Sequence, residues 1–135
     1  GDVVADVGAH FGFFTLLAAF LCEAQGRVFA FEPGEANFGV LQRNVAAFPH
    51  VEARRILVGS REGQLPFWEF PTLFSEYNTT NPEAVPAHLE GRRVELPSVS
   101  LDVFFERAGV SPRLVKIDVE GAEYDVLPQI PNFAG

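Results

Sequence analysis

Two groups of residues in this sequence have the types and spacing for chemistry. The first is Asp6-Val7-Gly8-Ala9-His10-Phe11-Gly12, where an apolar, β-branched run gives way to a glycine turn ahead of a second apolar run. Glycines at a strand-to-helix turn let backbone approach a ligand at the helix N-terminus. Glu32 follows twenty residues after Gly12, at the end of the next apolar run. An acidic residue at that place and spacing suits a ribose diol, because a carboxylate offers two acceptor oxygens to two hydroxyls. The second group is Lys116-Ile117-Asp118-Val119-Glu120-Gly121-Ala122-Glu123. Strand alternation puts Lys116, Asp118 and Glu120 on one side. Charges at a strand end that should be buried are costly unless paired or used, so this segment holds either a structural ion pair on Lys116 or reactive carboxylates. Glu123 reads as a first-turn helix residue that favours the macrodipole.

The turn departs from the dinucleotide fingerprint Gly-x-Gly-x-x-Gly, because His10 stands at the second glycine position. A side chain there crowds a pyrophosphate lying on the backbone. S-adenosylmethionine carries no phosphate at that point and tolerates the substitution. Asp6, at the strand's C-terminal end, could accept from an ammonium and help neutralise a cationic ligand. On the bland reading, Asp6 is a solvated aspartate and Glu32 an exposed loop acid.

The elements that must carry these groups can be read from periodicity. Val3–Val7, Arg27–Phe31 and Val51–Val58 are expected strands. Phe11–Gln25 is an expected buried helix stopped by Gly26, and Glu35–Phe48 a second helix with Phe38, Leu41, Val45 and Phe48 at helical spacing before Pro49. Strands alternating with helices of this length make a mostly parallel sheet with flanking helices. Gln64–Phe70 and Arg92–Leu96 are expected to be short extra strands, with each other as candidate partners, around a Pro-, Asn- and Thr-rich loop from Pro71 to Pro86. Asn78-Thr79-Thr80 matches the glycosylation triplet, a pattern common by chance. A helix Ser100–Ala108 with Ser100 as N-cap, a strand Arg113–Val119 and a helix from Ala122 to about Leu127 complete the pattern.

Bulk properties bound the function. The chain has 135 residues, enough for one core, and a net charge of −8. That balance repels phosphate backbones, so nucleic acid is a poor partner. Cys22 is alone, inside an apolar run, and reads as a core residue rather than a nucleophile. His10, His50 and His88 have no metal-ligand spacing, so no metal site is expected. The longest apolar run, Phe11–Cys22, is twelve residues against the roughly twenty a membrane span needs. The chain contains no methionine and opens just before a strand, so it is expected to be part of a longer protein. With any leader outside the sequence, a cytoplasmic location is only the default, and oligomeric state is open.

Asp6-Val-Gly-Ala-His-Phe-Gly-Phe-Phe-Thr15, Ala30-Phe-Glu-Pro33, Leu41-Gln-Arg-Asn44, Ser100-Leu-Asp102 and Lys116-Ile-Asp-Val-Glu-Gly-Ala-Glu123 together resemble the FkbM family of methyltransferases. The resemblance spans nearly the whole chain, and its last segment is the most specific part. It implies an α/β, Rossmann-like class I methyltransferase fold, with a cofactor-binding half over 1–59, an insertion over 60–97 and a helix and strand over 98–130, continuing beyond Gly135. It implies S-adenosylmethionine as cofactor and a small-molecule or saccharide hydroxyl as acceptor. Asp6, Gly8, Gly12 and Thr15 would line the methionine end and Glu32 the ribose, and Ala9 and His10 would also contact the cofactor. Asp118 or Glu120, with a pKa raised by burial and by the neighbouring acid, would take the acceptor's proton, with His10 as the second candidate base. The family more often has Asn at the position of His10. The stretch Pro71–Pro86 matches no family motif and is where acceptor choice is expected. Two rivals stand beside this reading: a nicotinamide-dependent oxidoreductase and a non-catalytic methyltransferase-like binding module.

Overall fold

The computed structural model describes residues 1–120 and Val126. Four short apolar runs, β1 (Val3–Val7), β2 (Arg27–Phe31), β3 (Val51–Arg54) and β7 (Leu114–Ile117), form one sheet in the order β3-β2-β1-β7, parallel throughout. The chain runs from β1 to β2 to β3 on one side, then returns to add β7 on the other side of β1. The order of strands therefore reverses at β1, and a crevice opens at the C-terminal ends of the strands.

Helices cover both faces. On one face, α1 (Phe13–Cys22) sets Ala18 and Ala19 on Val4 and Val28, while α2 (Glu35–Val45) sets Leu41 and Val45 on Ala9 and Ala30. On the other face, α3 (Leu101–Ala108) buries Leu101 and Phe105 against Ala5, Val7, Phe29, Phe31 and Val126. Phe29 and Phe31 meet Phe104 edge-on at ring separations of 5.4 and 4.9 Å, the geometry aromatic quadrupoles favour. The result is an α/β fold with a mostly parallel sheet between helical layers.

A second, three-stranded sheet lies beside the first. Its order is β4-β6-β5, from β4 (Leu57–Val58), β5 (Gly63–Glu69) and β6 (Arg92–Val99). The expected partnership of the two insertion strands holds: β5 and β6 run antiparallel from Gly63↔Ser98 to Glu69↔Arg92.

Several boundaries differ from the sequence reading, each for a local reason. The expected strand Val51–Val58 is two strands in two sheets. The break falls at Arg55, whose guanidinium turns away to Pro33 O (3.1 Å) and Glu69 Oε1 (2.8 Å). The expected helix Phe11–Gln25 starts later and ends earlier, because Gly12 (φ 90°) and Glu23 (φ 54°) both take left-handed backbone. It is also buried on one side only: Phe13, Leu17, Phe20 and Leu21 face outward and are exposed. α2 ends at Val45, ahead of Phe48. The loop Pro71–Pro86 contains two 3-10 helices, Thr72–Tyr77 and Pro82–Ala84. Ser100 occupies the N-cap position of α3 without a side-chain cap bond. The strand expected over Arg113–Val119 is shorter, so Asp118 and Glu120 lie beyond its end, Glu120 at φ 43°. The helix expected from Ala122, and Glu123, lie outside the described residues, apart from Val126. Among the described residues no helix is long and apolar enough to cross a membrane.

Candidate active site

The crevice at the strand ends is a cavity of about 800 Å³, within the range of small-molecule sites. Its floor is the glycine turn after β1, its sides are the ends of β2 and β7, and its far wall is the second sheet. Gly8, Ala9, His10, Glu32, Asp118 and Glu120 all line it. Three separate chain segments thus bring these expected residues together.

Glu32 is the most constrained of them. It is 5% exposed, and each of its oxygens accepts from a backbone N–H: Oε1 from Gly34 and Oε2 from His10, both at 2.8 Å. The His10 N–H reaches it because His10 takes left-handed backbone at φ 53°. Burial pushes the Glu32 carboxyl above its ordinary value. The N–H groups of Gly34 and His10 and the Asn37 side chain pull it back, and Asp6 adds to the rise.

Asp6, Thr15 and Gly12 lie outside the cavity wall instead of on it. Asp6 and Thr15 are fully buried, and Thr15 Oγ1 donates to Asp6 Oδ2 at 2.6 Å. The other oxygen, Oδ1, lies 3.1 Å from Lys116 Nζ. The contact is an ion pair without hydrogen-bond geometry. It follows from register, since Asp6 and Lys116 are direct partners across β1 and β7. Lys116 Nζ also donates to Gly8 O at 3.2 Å and lies 3.9 Å from Asp118 Oδ2. The reading of Lys116 as an ion-pair partner is therefore realised, and its partner is Asp6. Gly12 packs against Leu41, where a Cβ would sit 2.6 Å from Leu41 Cδ1. Gly8 (φ 78°) has no room for a Cβ against the Asp118 carbonyl. These residues shape the turn from below.

Asp118 and Glu120 are exposed at the cavity mouth. The burial expected to raise their pKa is absent, because both lie past the end of β7. His10 is also exposed, yet the turn partly desolvates its ring. Burial lowers its pKa and Lys116 adds to that, against the raising effect of Asp118, Glu76 and Glu120. His10 Nε2 lies 3.3 Å from Ser75 Oγ.

Ser75 belongs to the insertion, and sequence reasoning missed it together with Asn37 and Asn78; all three line the cavity. Asn37 had a signal. It stands four and eight residues before Leu41 and Val45, at the head of the inward stripe of α2, where a polar side chain calls for a purpose. Asn78 turns inward: its Oδ1 accepts from Phe70 N–H at 2.8 Å. That engagement disfavours its use as a glycan acceptor. The carboxylates of Glu32, Glu76, Asp118 and Glu120 outnumber the cations Arg61 and Lys116 in the lining, a balance suited to a cationic ligand. Among the described residues no group of His, Cys, Asp and Glu is arranged to hold a metal ion.

This fold and crevice define a class I methyltransferase-like α/β domain. The chain belongs to the FkbM methyltransferase family: the model described as "Methyltransferase FkbM domain" matches residues 6–133. It is 30% identical over 97% of its length to the hexuronic acid methyltransferase AglP of Haloferax volcanii. It is 30% identical over 92% to methyltransferase 1 of Beauveria bassiana, and 31% over 92% to methyltransferase sdnD of Sordaria araneosa. It spans 51%, 56% and 58% of those relatives, little more than half of each.

Proposed function

We propose that this chain forms the cofactor-binding core of an S-adenosylmethionine-dependent methyltransferase that methylates a hydroxyl of a saccharide or other small molecule. The observation that carries the reading is Glu32: a buried carboxylate at the end of β2, held by two backbone N–H groups, in a cavity rimmed with acid. A carboxylate accepts up to four hydrogen bonds, so Glu32 keeps lone pairs for a ribose diol. The cavity has room for the cofactor and part of an acceptor.

When bound, S-adenosylmethionine supplies an electrophilic methyl group on a positively charged sulfur. Asp118, Glu120 and Glu76 hold negative charge around that end of the cavity. Gly8, Ala9 and His10 form its floor, while Asp6, Lys116 and Thr15 fix the turn from beneath. An alcohol acceptor must lose its proton as it attacks. His10, whose pKa desolvation lowers, offers a ring nitrogen lone pair for that proton. Asp118 and Glu120 present their carboxylates at the cavity mouth. The acceptor enters between the insertion and the β7 end. The saccharide class is supported by the name of the Haloferax relative. Arg61 lines the cavity with no ion pair among the described residues, and a uronic acid carboxylate would meet it there.

The test is transfer of labelled methyl from S-adenosylmethionine to a panel of neutral sugars, uronic acids and non-sugar alcohols. Transfer to a hydroxyl that His10→Asn lowers about 100-fold or more supports the reading. Transfer only to amines, or undiminished transfer by His10→Asn, contradicts it.

A further inference from the structure

Three polar side chains from separate elements converge on Gly34. A Cβ at Gly34 would sit 2.7 Å from Asn78 Nδ2, 2.9 Å from Glu32 Oε1 and 3.5 Å from Asn37 Nδ2. The backbone there, at φ −68° and ψ 125°, suits any residue. Glycine is therefore required so that the two asparagine side chains can close in beside Glu32, where all three reach the cavity wall.

Asn78 spends its oxygen on the Phe70 N–H, which fixes the amide and leaves Nδ2 facing Gly34. Its neighbour Thr79 is pinned to Trp68 by two backbone bonds of 2.9 and 3.1 Å, so the segment is anchored. Asn37 is 2% exposed, and its Oδ1 is buried with no hydrogen-bond partner among the described residues. A buried acceptor left unpaired costs about 1–3 kcal/mol. Both asparagines form part of the cavity wall.

We propose that Asn37 and Asn78 complete a ribose clamp with Glu32, so that the insertion contributes to the cofactor site. The proposal rests on the S-adenosylmethionine reading above. The chemistry of a diol requires more than a carboxylate. Each ribose hydroxyl donates one hydrogen and accepts others, whereas an ionised carboxylate only accepts. Glu32 takes hydroxyl hydrogens, Asn78 Nδ2 donates to a hydroxyl oxygen, and Asn37 Oδ1 accepts a further hydrogen. The segment Thr72–Asn78 therefore serves the cofactor as well as any acceptor.

Calorimetric titration of the wild type, Asn37→Ala, Asn78→Ala and Asn78→Asp tests this. The ligands are S-adenosylhomocysteine and its 2′-deoxy and 3′-deoxy analogues. Asn78→Asp keeps the acceptor for Phe70 N–H while removing the donor, so it serves if Asn78→Ala folds poorly. Each variant is expected to bind S-adenosylhomocysteine about three- to tenfold more weakly. At least one deoxy analogue should lose less than the parent ligand does. Unchanged affinity, or equal losses for all three ligands, overturns the clamp. A wild type that does not bind S-adenosylhomocysteine overturns the cofactor reading itself, a separate failure.

Discussion

The backbone N–H of His10 donates to Glu32 Oε2 at 2.8 Å, joining the turn after β1 to the acid at the end of β2. One bond thus couples the two features proposed to hold the cofactor, and it depends on left-handed backbone at His10.

Glu32→Ala is expected to weaken S-adenosylhomocysteine about 100-fold through loss of charge-assisted bonds to the ribose. Wild-type affinity should also fall as pH drops through a value above the ordinary 4.5 of a glutamate, because burial raises this carboxyl and only the ionised form accepts from both hydroxyls. Stability runs the other way. A raised folded pKa gives a contribution fully present below 4.5 and lost as pH rises through the folded value. Glu32→Gln, which does not ionise, should therefore gain in melting temperature against wild type on going from pH 4 to pH 8.

Gly8→Ala should be strongly destabilising, by more than about 3 kcal/mol, because left-handed strain adds to collision with the Asp118 carbonyl. Gly63 supplies the control. It also has positive φ, at 120°, but nothing lies within 4 Å of an added Cβ. Thermal unfolding of both variants should show the larger fall for Gly8→Ala.

Lys116→Met leaves Asp6 fully buried with Thr15 alone as partner. Breaking a fully buried pair costs about 3–5 kcal/mol. Lys116 is 27% exposed, and solvent screening reduces the expected loss to about 2 kcal/mol. Asp6→Asn combined with Lys116→Met should recover part of it in denaturant unfolding.

Asp118→Asn and Glu120→Gln should each lower affinity for cationic S-adenosylmethionine about threefold while leaving neutral S-adenosylhomocysteine unchanged. Added salt should shrink the difference, since both carboxylates are exposed. Equal losses for the two ligands would remove these residues from the neighbourhood of the sulfur.

The alternating elements of the first 50 residues were legible because each strand is a short β-branched or aromatic run with a glycine or proline at its end. The second sheet was only half legible. Nothing local marks the change of sheet at Arg55, which depends on Glu69 fourteen residues later. The exposed side of α1 was not legible either, since Phe13, Leu17, Phe20 and Leu21 are as apolar as the residues they back onto. At the site, Glu32 could be placed by spacing. Asp6 was read as facing ligand because its cross-strand partner Lys116 lies 110 residues away in sequence. Asn78 needed the fold of the insertion to bring it to Gly34.

The turn and Glu32 are proposed to hold S-adenosylmethionine rather than a dinucleotide. Isothermal titration of the protein with S-adenosylhomocysteine and, separately, with NAD tests it most directly. Saturable binding of S-adenosylhomocysteine, lost in Glu32→Ala, is expected, with no binding of NAD. Binding of NAD alone would contradict it.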